Sequence, residues 1–440
     1  MSEKETTTEP TLDDFVAESD TGARVPDGAL SRRALIYVPL AWSLFQLWYA
    51  SPLPFIFKFG VLNDTEARAI HLAFAMFLTY LAFPAFRRSP RHRIPDGDWL
   101  AAFVGAFAAA YIYLAYDALA GRAGAPTWYD LAVAVAGMVL LLEATRRALG
   151  PPLMVVALVF LAYTFGGPYM PDVIAHKGAS LSKTMSHQWL STEGVFGVAL
   201  GVSTSFVFLF VLFGSLLDKA GAGGYFIRVA FSLLGHMRGG PAKAAVVSSA
   251  MTGMISGSSI ANVVTTGTFT IPLMKRVGFP GYKAGAVEVA ASTNGQMTPP
   301  IMGAAAFLMV EYVGISYVDV IKHAFLPAII SYIALVYIVH LEALKAGMKG
   351  LPRRRKATLA QSLMLFAFTV TGLIALTAAV YHGLGWLKVA VPGAATWIAS
   401  ALTLAAYIGL VGYASRYADE HVDDAAAEIC LLYTSPSPRD

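Results

Sequence analysis

The sequence predicts an all-α polytopic membrane protein, and three observations support that prediction. Of the 440 residues, 56% are hydrophobic and only 14% are charged, whereas charged residues make up about a quarter of a soluble chain. Apolar runs of about 20 residues, the length that an α-helix needs to cross hydrocarbon, recur from Leu35 onward. The short alternating segments that a β-barrel would need do not occur in the sequence.

The first 31 residues differ from everything that follows them. They are polar and rich in acidic residues, and they lack the apolar core and cleavage site of a signal peptide. Residues 1–31 therefore predict a disordered cytoplasmic tail. The net charge of +4 does not indicate a nucleic-acid partner, because the basic residues lie at the ends of predicted spans, where they set topology.

Residues 32–149 predict a four-helix membrane domain. Its spans are expected at about 35–50, 65–86, 99–119 and 128–148. The arginine-rich segments at 32–33, 87–93 and 146–147 then fall on one side, which is the cytoplasm by the positive-inside rule.

Residues 150–429 predict a second domain, with further spans at about 153–165, 195–217, 320–344, 358–381 and 391–414. Between the second and third of these lie two apolar stretches, 242–255 and 260–274, that are each too short to cross. Basic residues lie both before this pair and after it. A re-entrant hairpin at about 242–275, entering and leaving on one side, explains both facts. A broken helix is expected at about 282–313, because "STNGQMTPP" interrupts its apolar run.

The hairpin turn falls in "SGSSIANVVTTGTFTIP", which begins at Ser256 and is crowded with small polar residues. Backbone inside a bilayer is irregular only where protein or water can satisfy its polar groups. We expect Gly257 to let the chain turn and the neighbouring serine hydroxyls to bond exposed backbone. The N-terminus of the helix that begins near Ile260 would suit a carboxylate, and the C-terminus of the preceding helix would suit a hard cation such as sodium.

The interruption of the second helix follows the same logic. Gly295 loosens the helix, and Pro299 and Pro300 cannot donate backbone hydrogen bonds, so carbonyls around Asn294–Met297 become available to an ion. Two interruptions within about 40 residues are typical of the midplane binding site of a secondary transporter. Close helix packing by small residues is the alternative interpretation.

Other polar residues have weaker functional interpretations. Glu288 lies inside the broken helix, where it is either functional or simply snorkels or pairs with Lys283. Glu143 is expected to pair with Arg146 and Arg147, and His71 and His340 are expected to be packing residues. His176 and His187 share the outer loop, but a metal site is not favoured there. No nucleotide-binding loop and no paired nucleophile and base appear, which argues against ATP-driven transport and against an enzyme.

Two stretches resemble the large membrane subunit of tripartite ATP-independent periplasmic (TRAP) transporters and are similar to the TAXI-associated type: "RGGPAKAAVVSSAMTGMISGSSIANVVTTGTFTIPLMKRVGF" and "GAVEVAASTNGQMTPPIMGAAAFLMVEYVGI". The four-helix domain resembles the small membrane subunit, fused ahead of the large one. The resemblance implies a sodium-driven, elevator-type importer in a prokaryotic inner membrane, with a cytoplasmic N-terminus. It also implies that an extracytoplasmic substrate-binding protein delivers an organic anion, such as a dicarboxylate, and that sodium is the coupling ion with no other cofactor.

Carried over by motif, the resemblance implies two overlapping sets of site residues. The sodium ligands would be Ser256, Gly257, Ser258, Asn262, Asn294, Gly295, Met297 and Thr298. The substrate contacts would be Ser258, Ser259, Thr265 and Thr298.

The chain departs from the family pattern at its C-terminal end. The family builds its site from two inverted halves, and a second hairpin and second broken helix do not follow residue 346. Residues 430–440, "CLLYTSPSPRD", resemble the translation of a sequencing adapter, so we expect a C-terminally truncated fragment that holds half of the site. Two alternatives stay open at this point: a stand-alone divalent-anion/sodium symporter of related elevator architecture, and an intramembrane enzyme.

Overall fold

The structure, a computed structural model, describes residue 24, residues 26–86, 89–122, 124–219 and 221–348, and scattered positions between 364 and 409. Every regular element in these ranges is helical, as the sequence predicts. Five helices in the described part of the chain are long and apolar enough to cross a membrane: Asp96–Leu114, Trp128–Leu149, Pro151–Tyr169, Val198–Leu217 and Tyr317–Lys345. The predicted tail before residue 24 and the predicted adapter segment lie outside the described residues, as do most positions of the spans expected at 358–381 and 391–414.

The chain divides into two compact units. Unit 1 comprises residues 1–213 and 299–326, and unit 2 comprises residues 214–298 and 327–440. The boundary predicted at 149/150 separates two segments that the resemblance treats as fused subunits. Such segments can pack within one larger unit, and unit 1 extends past this boundary. The predicted broken helix is divided between the units, because its interruption contains the step from Thr298 to Pro299.

Unit 1 begins with a set of helices that includes the four predicted spans. The helices are α1 (Ala29–Ala50), α2 (Leu53–Phe57), α3 (Asp64–Ala82), α4 (Asp96–Leu114), α5 (Tyr116–Ala120), α6 (Trp128–Leu149), α7 (Pro151–Gly166), α8 (Leu181–Trp189) and α9 (Val198–Val202). A π-helical turn, Ser203–Val207, joins α9 to α10 (Phe208–Lys219). Helix α1 packs against α3, α3 against α4, and α4 against α6, so the four predicted spans contact one another in sequence order.

The core of unit 1 is centred on Trp189, which is fully buried. Its indole Nε1 donates a hydrogen bond to the carbonyl oxygen of Ala108 on α4 at 3.1 Å. Gly137 on α6 faces the indole ring so closely that a Cβ at this position would overlap it. Trp189 therefore fits into the core only because residue 137 has no side chain.

A network of charged side chains joins the ends of α4 and α6 to the segment before α1. Glu143 pairs with Arg146 and Arg147 on its own helix, as the helical spacing predicts. Arg147 also pairs with Asp98 at 2.8 Å. The guanidinium of Arg24, whose side chain is fully buried, bonds the other carboxylate oxygen of Asp98. Residue 24 and the start of α1 at Ala29 are thus ordered parts of unit 1, although both lie in the segment assigned to the tail.

The histidines considered in the sequence have local partners. His71 is buried on α3, where its Nδ1 accepts from Trp42 Nε1 at 3.1 Å and its Nε2 lies 3.2 Å from Ser203 Oγ. His340 Nδ1 lies 2.9 Å from the Nζ of Lys243. Over the described residues, no group of three histidine, cysteine or acidic side chains is placed to hold a metal ion.

Unit 2 contains the hairpin and the first half of the broken helix. Its elements are the end of α10, then α11 (Ala222–Leu234), α12 (Gly240–Ser256), α13 (Ser259–Arg276), α14 (Gly281–Gly295) and the greater part of α16 (Tyr317–Lys345), while α15 (Ala304–Val313) belongs to unit 1. Helices α12, α13 and α14 pack against one another pairwise. Their core joins small residues, such as Ala242 and Ala291, to Met274, Phe279 and Val339.

Candidate functional site

The turn between α12 and α13 forms where the serine and glycine cluster predicts it. Gly257 adopts a φ of +61°, a left-handed conformation that side chains disfavour, and its N–H donates to the carbonyl of Gly253. Ser258 caps α13, because its Oγ accepts from the backbone N–H of Ala261 at 3.3 Å. Ser256 Oγ donates to the carbonyl of Ser258 at 3.3 Å, which satisfies backbone inside the turn.

The interruption after α14 retains hydrogen bonds of its own. The carbonyls of Asn294 and Gly295 accept from the backbone N–H groups of Met297 and Thr298 at 3.0 and 3.1 Å. Thr298 Oγ1 also donates to the carbonyl of Asn294 at 2.9 Å. The carbonyl of Asn294 thus accepts bonds from both Met297 and Thr298. Gly295 accepts one bond and keeps a second lone pair.

The two interruptions lie close together within unit 2. A Cβ built on Gly253 would lie 2.8 Å from the Cα of Gly295, nearer than real Cβ atoms approach. The two helices can approach this closely only because both positions are glycine. A side-chain bond links the segments as well, since Gln296 Nε2 donates to Ser259 Oγ at 2.9 Å.

Asn262 is the buried polar centre of this junction. It is fully buried on the first turn of α13. Its Nδ2 donates to the carbonyl and the hydroxyl of Ser249 at 2.9 and 3.0 Å, and lies 3.2 Å from Ser292 Oγ. The Cβ position built on Gly253 is 3.3 Å from the same nitrogen, so the amide belongs to the close approach of α12 and α14. The Oδ1 of Asn262 is buried without a hydrogen-bond partner among the described residues.

The structure excludes one of the two interpretations that the sequence left open for Glu288. Its side chain neither snorkels nor pairs with Lys283, because it is fully buried and the ammonium of Lys283 contacts Glu342 instead. The carboxylate accepts from the hydroxyls of Thr266 and Thr270 on α13, at 2.6 Å in the case of Thr270. The signal was present in the sequence, since Asn262, Thr266 and Thr270 follow one another at four-residue spacing and so share one face of α13.

The predicted site residues divide by their exposure. Asn262 and Gly295 are buried, while Ser256, Gly257, Ser259, Asn294 and Thr298 are intermediate. Ser258, Thr265 and Met297 are exposed. Thr265 donates its hydroxyl back to the carbonyl of Ala261 on its own helix at 2.8 Å and is not drawn to the interruption of α14.

Comparison with known proteins gives this arrangement a family. The family described as "Tripartite ATP-independent periplasmic transporter, DctM component" matches residues 136–421, which is more than half of the chain. That range includes the whole of the hairpin and both halves of the broken helix.

Three curated relatives from bacteria are similar over shorter stretches. An uncharacterized protein, y4mL of Sinorhizobium fredii, is 30% identical over 155 residues, covering 34% of this chain and 36% of the relative. The C4-dicarboxylate TRAP transporter large permease protein DctM of Pseudomonas aeruginosa is 29% identical over 147 residues, 33% of each chain. The protein of the same name from Vibrio cholerae is 27% identical over 212 residues, 46% of this chain and 45% of the relative.

The matched stretches span less than half of the length of each of these relatives. The family match is broader, and it agrees with the helices long enough to cross a bilayer and with the glycine-mediated contact of two interrupted helices. The chain is therefore a multi-pass membrane protein that belongs to the DctM family, the large permease component of tripartite ATP-independent periplasmic transporters.

Proposed function

We propose that the chain is the membrane permease component of a sodium-coupled secondary transporter that imports organic anions from a soluble extracytoplasmic binding protein. The family supports a TRAP permease. Sodium coupling, dependence on a binding protein and the anionic substrate go beyond the family match. The contacts where the two interruptions meet support the sodium ion and the anion.

One observation carries the sodium proposal: the buried, unpartnered Oδ1 of Asn262. An amide oxygen left without a donor inside a protein costs about 1–3 kcal/mol. A hard cation removes that cost, because such ions bind carbonyl and hydroxyl oxygens. The residues at the junction fit such an ion, since the carbonyl of Gly295 has a free lone pair and the hydroxyl of Thr298 lies in the same turn.

The full ligand set that we propose for sodium is the one implied by the family resemblance. It consists of residues from both interruptions: Ser256, Gly257, Ser258, Asn262, Asn294, Gly295, Met297 and Thr298. Asn262 is the member with the strongest physical argument, because it alone among these side chains is fully buried.

The anionic substrate is proposed to bind beside the start of α13. The first N–H groups of this 18-residue helix face the turn, where they carry a partial positive charge that favours a carboxylate. Ser258 and Ser259 lie on this turn, and Thr298 lies at the neighbouring interruption. Thr265 remains the weakest of the proposed contacts, because its hydroxyl is bonded along its own helix. The names of the two DctM relatives support C4-dicarboxylates as the first compounds to test.

Several finer points belong to the same proposal. Residues 32–149 would be a fused small subunit that braces the membrane scaffold, and the partner would be a TAXI-type binding protein. The hairpin-bearing part would move across an inner membrane in elevator fashion, with the N-terminus in the cytoplasm.

The test is uptake by proteoliposomes that contain the permease and its cognate binding protein. Labelled dicarboxylate should accumulate when an inward sodium gradient is imposed. In Asn262→Ala, the sodium gradient should no longer increase this uptake. Thr293→Ala is the matched control, because Thr293 is exposed on α14 and bonds only its own helix in the described structure.

Two results would count against the proposal. Uptake that is indifferent to sodium would refute the coupling. Uptake that proceeds without the binding protein would instead favour the stand-alone divalent-anion symporter. The family is one of transporters, and the described residues offer no support for an intramembrane enzyme.

A further inference from the structure

Glu288 differs from the other buried acidic side chains of the described structure in what neutralises it. Asp98 is paired with Arg24 and Arg147, and Asp130 is paired with Arg122. Glu288 is fully buried, yet its hydrogen-bond partners among the described residues are all hydroxyl groups. Burying a carboxylate without a cation is expensive unless the group can also become neutral.

The hydroxyl groups around Glu288 can serve either protonation state. Thr266 Oγ1 contacts Glu288 Oε1 and also lies 2.8 Å from the carbonyl of Asn262. Thr270 Oγ1 lies 2.6 Å from Glu288 Oε2 and 2.9 Å from the carbonyl of Thr266. Each hydroxyl has one proton and two acceptors within reach, so rotation about the C–O bond decides which acceptor receives it.

This arrangement satisfies both forms of the carboxyl group without moving a heavy atom. When Glu288 is charged, Thr266 and Thr270 both donate to it. When Glu288 carries a proton, one threonine turns its hydroxyl to the helix carbonyl four residues earlier and accepts the O–H of the acid. Ser292 Oγ, at 3.2 Å from Oε1 and 3.1 Å from Ser249 Oγ, provides a third rotor of the same kind.

We propose that Glu288 is a reversible proton-binding site inside unit 2, held by the hydroxyls of Thr266, Thr270 and Ser292. Binding forms one O–H bond between a carboxylate oxygen and a proton from water, and release returns the proton to water, with no oxidation or reduction. Ionisable residues at membrane depth that face protein are typical of proton relays. No cation is needed in either state, because the rotors supply the compensating hydrogen bonds.

The other titratable side chains on α12, α13, α14 and the unit 2 part of α16 have partners elsewhere, lie near helix ends or, in the case of Tyr337, are exposed. They are Lys243 on α12, Lys275 and Arg276 on α13, Tyr282 and Lys283 on α14, and Tyr332, Tyr337, His340, Glu342 and Lys345 on α16. Lys243 contacts His340, and Lys283 contacts Glu342. The Tyr332 hydroxyl donates to the carbonyl of Ala291 at 2.9 Å, one turn along α14 from Glu288.

The role of this proton in transport rests on the proposed function, but proton binding itself can be measured without transport. A membrane-permeant carbodiimide reacts with the protonated form of a buried carboxyl group and not with its ionised form. Purified protein is exposed to dicyclohexylcarbodiimide over a series of pH values, and the modified residue is identified by peptide mass spectrometry. We expect modification at Glu288 to rise as the pH falls.

Replacement of Thr270 with valine keeps the shape of the side chain and removes one donor to the charged carboxylate. Loss of a hydrogen bond to a charged group should move the pH at half-maximal labelling upward by about one to two units, a change in proton affinity of roughly ten- to a hundredfold. Thr270→Ser restores a hydroxyl and should return the midpoint towards that of the wild type. Glu342→Gln is the matched control, because it removes a carboxyl from the same unit and should leave the midpoint unchanged.

Labelling of Glu288 that is independent of pH, or that occurs only after unfolding, would overturn the proposal. An unchanged midpoint in folded Thr270→Val would overturn it as well, because the rotors would then have no effect. Sodium-driven uptake combined with either result would leave the transport function standing and remove only the proton site. Labelling that depends on pH in a protein without sodium-driven uptake would leave the proton site standing and remove the proposed transport function.

Discussion

The contact between Gly253 and Gly295 gives the sharpest prediction about the junction. A Cβ on Gly295 would lie 2.9 Å from the Cα of Gly253, whereas ordinary van der Waals contact begins at 3.4 Å. The obstructing atoms belong to the backbone, so no side chain can rotate away, and α12 and α14 must separate by about half an ångström. Gly295→Ala should therefore destabilise the protein.

The expected magnitude is the difference of two effects. Inserting a methyl group into a close-packed contact costs about 1–3 kcal/mol, and replacing glycine with alanine in a helix returns about 0.5–1 kcal/mol. A net loss between about 0 and 2.5 kcal/mol, centred near about 1 kcal/mol, should follow and should lower the melting temperature of the purified protein in detergent. Gly285→Ala is the matched control on the same helix, because a Cβ there meets nothing within 4 Å, and it should be neutral or stabilising.

The comparison between the two alanine variants tests the reasoning directly. If Gly295→Ala melts at or above the temperature of Gly285→Ala, the two helices do not approach as closely as described. The proposed site would then lose its geometric basis, since it depends on this contact.

Three further predictions concern packing and pairing. Trp189→Ala should lower the free energy of unfolding by about 3–5 kcal/mol, because it empties the centre of the unit 1 core. Thermal unfolding measures this loss, and a loss below about 1 kcal/mol would contradict the burial of Trp189. A double-mutant cycle of Lys283→Ala and Glu342→Ala should give a coupling of at most about 1 kcal/mol, since both side chains are about a third exposed. Asn262→Ala should lower the free energy of unfolding by about 1–3 kcal/mol, because it removes the amide hydrogen bonds. Sodium chloride should raise the melting temperature of the wild type more than choline chloride does. In Asn262→Ala, sodium should no longer raise the melting temperature. A sodium effect that persists in Asn262→Ala would exclude Asn262 as a ligand.

The helices and their interruptions could be predicted from the sequence with small errors. The hairpin helices, expected at 242–255 and 260–274, are Gly240–Ser256 and Ser259–Arg276. Glycine widens the allowed range of φ, and proline removes a backbone hydrogen-bond donor. Both effects depend on the residue itself, so the interruptions can be predicted without knowledge of the tertiary structure.

The partners of the buried polar groups could not be predicted in the same way. Glu288 has Lys283 five residues before it, yet its partners are Thr266 and Thr270 on another helix. That choice depends on which faces of α13 and α14 meet, and the packing of three helices decides it. The same holds for Asn262, which the resemblance assigns to an ion and whose nitrogen is anchored to Ser249 and Ser292.

The buried guanidinium before the first helix has a practical consequence for anyone who shortens this protein. A start codon placed at residue 29, at the visible beginning of α1, would remove Arg24 and with it one of the two arginines that bind Asp98. The remaining arginine is shared with Glu143, so one carboxylate oxygen would be left facing protein without a donor. Trimmed versions, affinity tags and fusion partners are therefore best joined upstream of Arg24.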